Sequence, residues 1–205
     1  MSRALLLLVL CGGCLGPGRQ LVEAPLVARG LLPATVGDVA LTVSRAEGGV
    51  GALVLDDAEG AVIGAWPAAA GADWLRGTEL ADLSVYEGEA TVAHHAVLGT
   101  PSLLLEGSVV AGGRAVPFRL RLDERLEISA PVILPVDART PPTSFLWTLD
   151  LGVVLGAVPW DTPPGTDGVL QVGDGLGDAL RAGITDPAAW SLTIAGVDTD
   201  PLLAD

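Results

Sequence analysis

The sequence predicts an all-β fold: an antiparallel β-sandwich, immunoglobulin-like or similar, or a small barrel, with roughly eight short strands and one or two short helical turns. Three observations carry this. Apolar residues recur at every second position in several short stretches, the period of a half-buried strand. Clusters of Gly, Pro and Asp separate those stretches. No stretch sustains the spacing of a long amphipathic helix.

In chain order, Val39, Leu41 and Val43 alternate with Ala40, Thr42 and Ser44, which predicts a strand. Leu53-Val54-Leu55, the acidic loop Asp56–Gly60 and Ala61-Val62-Ile63 read as a hairpin. Trp66 to Gly71 breaks the pattern. Ala90 to Leu98 and Leu103 to Val110 are two further strands around the turn Gly99-Thr100-Pro101. A second hairpin turns at Ala111-Gly112-Gly113-Arg114, where paired glycines supply the positive φ of a type I′ turn. Its returning strand sets Val116, Phe118, Leu120 and Leu122 on one face and Arg119 and Arg121 on the other. Leu126 and Ile128 continue the alternation, and Pro131, Pro135, Pro141 and Pro142 mark a long connection. Phe145, Trp147, Leu149 and Leu151 alternate again, followed by a proline-rich loop from Pro159 to Gly168. Val169 to Val172 is a short strand, Gly177 to Ala182 a brief helix, and Asp186-Pro187 a helix cap with proline behind it. Trp190, Leu192 and Ile194 form a last strand.

The chain has 205 residues, with 11 basic against 25 acidic side chains and a formal net charge of −14. All the basic residues are arginine; lysine and asparagine are absent. Such a balance disfavours nucleic acid as a partner, because phosphate binding needs clustered cations. Half the residues are hydrophobic and 18% are charged, which is not the composition of a disordered acidic tail.

The amino terminus points to a destination. Arg3 precedes an unbroken apolar run from Ala4 to Leu10, too short to span a bilayer as a helix. Cys11-Gly12-Gly13-Cys14 follows, and these are the only cysteines. A disulfide framework is thereby excluded for the rest of the chain. The order of charge, apolar run, small residues and cysteine resembles the signal of bacterial lipoproteins. That resemblance implies cleavage before Cys14, diacylglycerol on its thiol, and a firm hold on a membrane through more than one acyl chain. Cys11 departs from the usual leucine, and lipidation of Cys11 is the other register. Residues 1–13 would then be the signal peptide, 14–20 a lipidated tether rich in chain breakers, and 21–205 a single β-sandwich domain. Leu15 and Gly16 follow Cys14 where an inner-membrane retention signal would place aspartate, so the resemblance implies the outer membrane. The order from residue 36 to 195 also resembles exported β-sandwich lipoproteins of high-GC bacteria, a likeness that brings no catalytic residue with it.

Chemistry is sparse. His94 and His95 are the only histidines, and as strand neighbours they face opposite ways. Without lysine there is no Schiff base, Ser-Lys dyad or phosphate-loop lysine, and G-x-S-x-G is absent. Asp56, Asp57 and Glu59 on one loop, Asp161 and Asp167 on another, and Asp198 and Asp200 near the end are candidate calcium ligands, since calcium takes carboxylate oxygens from such loops. None forms a complete calcium-loop motif. A single histidine with carboxylates would suit zinc or copper. Trp147 alternates with core positions and is expected to be buried. Trp66, Trp74 and Trp160 lie in predicted loops, where aromatics serve packing or binding. Arg119 and Arg121 are placed to pair with Glu106 or the Asp123-Glu124 turn.

The expectation is a lipid-anchored cell-envelope protein that binds or supports an envelope protein or glycan, without enzymatic activity and without a cofactor. A calcium- or transition-metal-binding envelope module is the alternative. A hydrolase acting on carbohydrate through paired carboxylates comes third.

Overall fold

The computed structural model describes residues 19–33, 35–37, 39–88, 91–111, 113–164, 168–171 and 176–196. Residues 1–18 with Cys11 and Cys14, and Ala90, Gly112, Asp167, Val172, Asp198 and Asp200, lie outside the described residues.

Alternation of apolar and polar residues becomes strand in the predicted stretches as far as Asp150. The elements are β1 (Leu21–Leu31), β2 (Thr35–Val36), β3 (Val39–Asp56), β4 (Val62–Trp66), β5 (Ala70–Asp73), β6 (Thr78–Tyr86), β7 (Thr91–Leu98), β8 (Leu103–Ala111), β9 (Arg114–Leu122), β10 (Leu126–Ile133) and β11 (Ser144–Asp150). Then come α1 (Leu151–Gly156), β12 (Leu170–Gln171), α2 (Leu176–Thr185), a 3-10 turn at Pro187–Ala189, and β13 (Trp190–Ala195).

The protein is mostly β, as predicted, but the described residues form thirteen strands in a curled mixed sheet rather than eight antiparallel ones. Two pairings are parallel: β1 with β11, where Leu26 faces Phe145, and β12 with β9. The long strand β3 explains the curl. Its first half pairs with β8 (Leu41 opposite Val109), and its second half pairs with β4 and β7. Irregular register between Val43 and Arg45 and between Val50 and Leu53 lets it bend from one branch into the other. The second branch runs β10-β7-β3-β4-β6-β1-β11-β13, and its ends, β10 and β13, come back beside each other.

Inside this curl lies one core, with Leu26, Leu53, Leu83, Leu98, Leu105 and Phe145 all fully buried. Three tryptophans, Trp66, Trp74 and Trp147, are buried to 0% exposure. Trp74 and Trp147 meet edge to face at 5.6 Å, and Trp147 stacks on Trp190 at 5.0 Å. The other two indoles fasten the helices to the sheet. Trp160 Nε1 donates to the Leu155 carbonyl of α1 at 2.9 Å, and Trp190 Nε1 donates to the Ile184 carbonyl of α2 at 2.7 Å.

The helices begin where side-chain oxygens can serve backbone donors. Asp150 caps α1, accepting from Gly152 N at 2.8 Å, and turns into a helix what the alternation through Leu151 suggested as strand. Asp186 accepts from Ala188 N at 2.9 Å ahead of the 3-10 turn, with Pro187 behind it as expected. Helix α2 runs to ten residues, longer than a brief turn.

Both predicted hairpins are present. In the β8–β9 pair Ala111 faces Arg114, and Gly113 adopts φ 76°, the left-handed region that favours glycine. Within β8, Gly107 serves a different need. A Cβ there would overlap the Thr42 carbonyl oxygen and stand 2.8 Å from the Phe118 ring. Gly107→Ala is expected to cost at least ~1–3 kcal/mol, because the obstacle is backbone and cannot swing aside. Urea unfolding of the variant checks this; an unchanged midpoint would show that β3 and β8 can separate freely.

Candidate functional site

The acidic loop after β3 is built by its own carboxylates. Asp57 Oδ1 accepts from Glu59 N at 3.1 Å and from Ala61 N at 2.8 Å, closing the turn from within. Glu59 is exposed at the tip. Asp56, the last residue of β3, turns away toward the sheet, with Oδ2 at 3.4 Å from His95 Nε2. Neighbours at a strand end point opposite ways. Asp56, Asp57 and Glu59 therefore do not converge. Asp161 is exposed in the turn after α1. Among the described residues no three of His, Asp and Glu gather closely enough to hold a metal ion.

The histidines face opposite ways, as predicted. His94 is fully buried, with its ring 6.5 Å from that of Trp147. Neither ring nitrogen has a hydrogen-bond partner among the described residues. Burial pushes its pKa down to about 4, and the neighbouring His95 adds to the shift. The Ala130 carbonyl opposes both weakly. It faces His94 across the β7–β10 ladder without the geometry of a hydrogen bond to the ring.

His95 stands on the outer face of the sheet, its side chain 49% exposed. There β3, β7 and β10 form a pocket of about 350 Å³. Register sets its rows: Val54 and Ser129 flank His95, and Glu127 faces Val97. Half-buried Ala52, Val54 and Val97 make an aliphatic floor, while His95, Glu127 and Ser129 provide the polar groups. Such a face can hold an apolar group against the floor and a hydrogen-bonding group at its rim. Ser129 and Glu127 went unnoticed in the sequence. Their signal was the alternation of β10, where even positions are buried and odd ones exposed.

The loop tryptophans are packing residues, since Trp66, Trp74 and Trp160 are all buried. The arginines pair as expected. Arg119 Nε donates to Glu106 at 2.7 Å and Arg121 Nε to Asp123 at 2.6 Å, while Glu124 is taken by Arg181 of α2 at 2.7 Å. These pairs are exposed and contribute little to stability.

No protein-family model matches this chain. No curated protein matches it either. Among solved structures it is similar to MbnP from Methylosinus trichosporium, over 87% of this chain and 100% of that one, with 11% identity and a TM-score of 0.42. A likeness that loose bears on neither activity nor ligand, so the reading of this chain rests on its own residues.

Proposed function

We propose that this is a lipid-anchored protein of the cell envelope, held at the outer membrane by acylated Cys14, that acts by binding rather than by catalysis. The observation that carries the reading is the order of Arg3, the apolar run, Gly12-Gly13 and Cys14, with every cysteine of the chain inside that stretch. The folded body follows at once: Gln20 already shares a backbone hydrogen bond with Glu87, at 2.8 Å. In this reading the curled sheet serves as a sandwich-like body with two facing branches. The outer pocket around His95 is its contact face for an envelope protein or glycan, with the aliphatic floor taking the apolar part of the ligand.

A metal-binding role is the second reading. The approach of Asp56 to His95 favours it, although these are two ligands where zinc takes four.

A Cys14→Ser variant tests the first reading. The variant is expected to lose metabolic labelling with palmitate and to leave the membrane fraction. If it keeps the label and the membrane, the acylated residue is not Cys14 and the reading fails.

A further inference from the structure

We infer that the end of the fold where β1 begins lies against the membrane surface, with Leu21 and Ile133 among the lipid headgroups. The inference rests on the anchoring reading above and deepens it by assigning a face.

Covalent geometry makes the first part of the case. Arg19 is five positions after Cys14. Fully extended, that stretch reaches at most ~18 Å. There is no slack beyond it, because Gln20 and Leu21 are already fixed in the sheet. The Gln20 carbonyl accepts from Glu87 N at 2.8 Å, and Leu21 faces Tyr86. An acylated Cys14 therefore holds this end of the body close to the lipid.

The surface at that end makes the second part. The end of β6 is tied to the segment after β10 by paired hydrogen bonds between Gly88 and Val136, at 2.8 and 3.0 Å. The start of β1 and the end of β10 thus share one end of the molecule. Each carries an exposed aliphatic residue: Leu21 at 42% and Ile133 at 74%, the highest exposure among the large hydrophobics of the described residues. At the same end, beside the Gly88–Val136 bridge, a shallow pocket of about 410 Å³ carries Arg19, Glu87 and Asp137. Arg19 can meet a lipid phosphate, and the two carboxylates can meet the ammonium of a zwitterionic headgroup. Aliphatic side chains with charged neighbours suit the boundary between headgroup and acyl chain. The far end of β1, with Leu31 and Leu32, is about 35 Å away along an eleven-residue strand and beyond the reach of the tether.

The test uses the full-length, processed and acylated protein. Its body has no cysteine, and the Cys14 sulfur is blocked by its lipid. Ile133→Cys and Leu32→Cys each then present one thiol for an environment-sensitive fluorophore. The labelled proteins are placed in phosphatidylcholine vesicles doped with headgroup-spin-labelled phosphatidylcholine. Quenching is expected to be several-fold stronger at 133 than at 32. It should persist when salt is raised, since aliphatic contact does not depend on screening. Equal quenching at both positions, or none at 133, in protein that carries its acyl chains would overturn the inference and leave the anchor standing. Mass spectrometry showing an unmodified Cys14 would remove the anchor and the inference together.

Discussion

Acidification from neutral pH to about pH 4 is expected to remove roughly 3 kcal/mol of folding stability through His94 alone. The ring is fully buried and stays neutral in the native state down to about pH 4, whereas the ordinary value is 6.5. Between those values the unfolded chain binds a proton that the native protein refuses. The stability is therefore fully present above pH 6.5, declines as the pH falls, and levels off for this group once the native ring also protonates. Urea midpoints measured across this range for the wild type and for His94→Leu isolate the effect. The carboxylates titrate in both proteins and cancel in the difference. The variant should show a flatter acid limb, and identical limbs would place a proton-accepting partner beside His94.

Truncation of Trp147 should be among the most damaging single changes. Trp147→Ala is expected to cost ~3–5 kcal/mol, the range for deleting a large buried aromatic. Three rings surround it: Trp190 stacked at 5.0 Å, Trp74 edge-on at 5.6 Å, and His94 at 6.5 Å. Nothing small can fill that space without moving two strands. Trp147→Phe should cost far less. It keeps an aromatic ring and removes an indole N–H that has no partner among the described residues. Thermal unfolding of the two variants separates ring packing from hydrogen bonding; equal losses would mean that the N–H is satisfied after all.

The β character was legible because alternation survives in the sequence of β3, β9, β10 and β11, and because β7 and β8 are short stretches set apart by the turn Gly99-Thr100-Pro101. What was missed has physical causes. Strand β1 was not read as a strand because Pro25 interrupts it and because two of its four inward residues are Ala24 and Ala28. Small inward residues weaken a hydrophobic pattern while still filling a tight core. Pro25 is tolerated beside a register shift, where no ladder donor is required. Pro131 misled in the other direction. It marked a loop in the sequence, yet it sits within β10, a strand whose ladder runs to β7 alone and leaves its other side free of that demand. The parallel pairing of β1 with β11 had no local signal, since register between distant segments is set by the closed core rather than by either strand. At the candidate site, the opposite facing of His94 and His95 followed from the strand period. The convergence of Val54, His95 and Ser129 did not, because it depends on three strands meeting in one register.

The position of β1 has a consequence for how this protein is made. Strand β1 rests between β6 and β11, and Leu26 finds Phe145 only after the intervening 118 residues have been made. Contacts so distant in sequence form slowly, and an incomplete chain exposes apolar edges while it waits. Chaperones that shield unfinished chains would have most to protect in that half-made state, before β11 closes the gap.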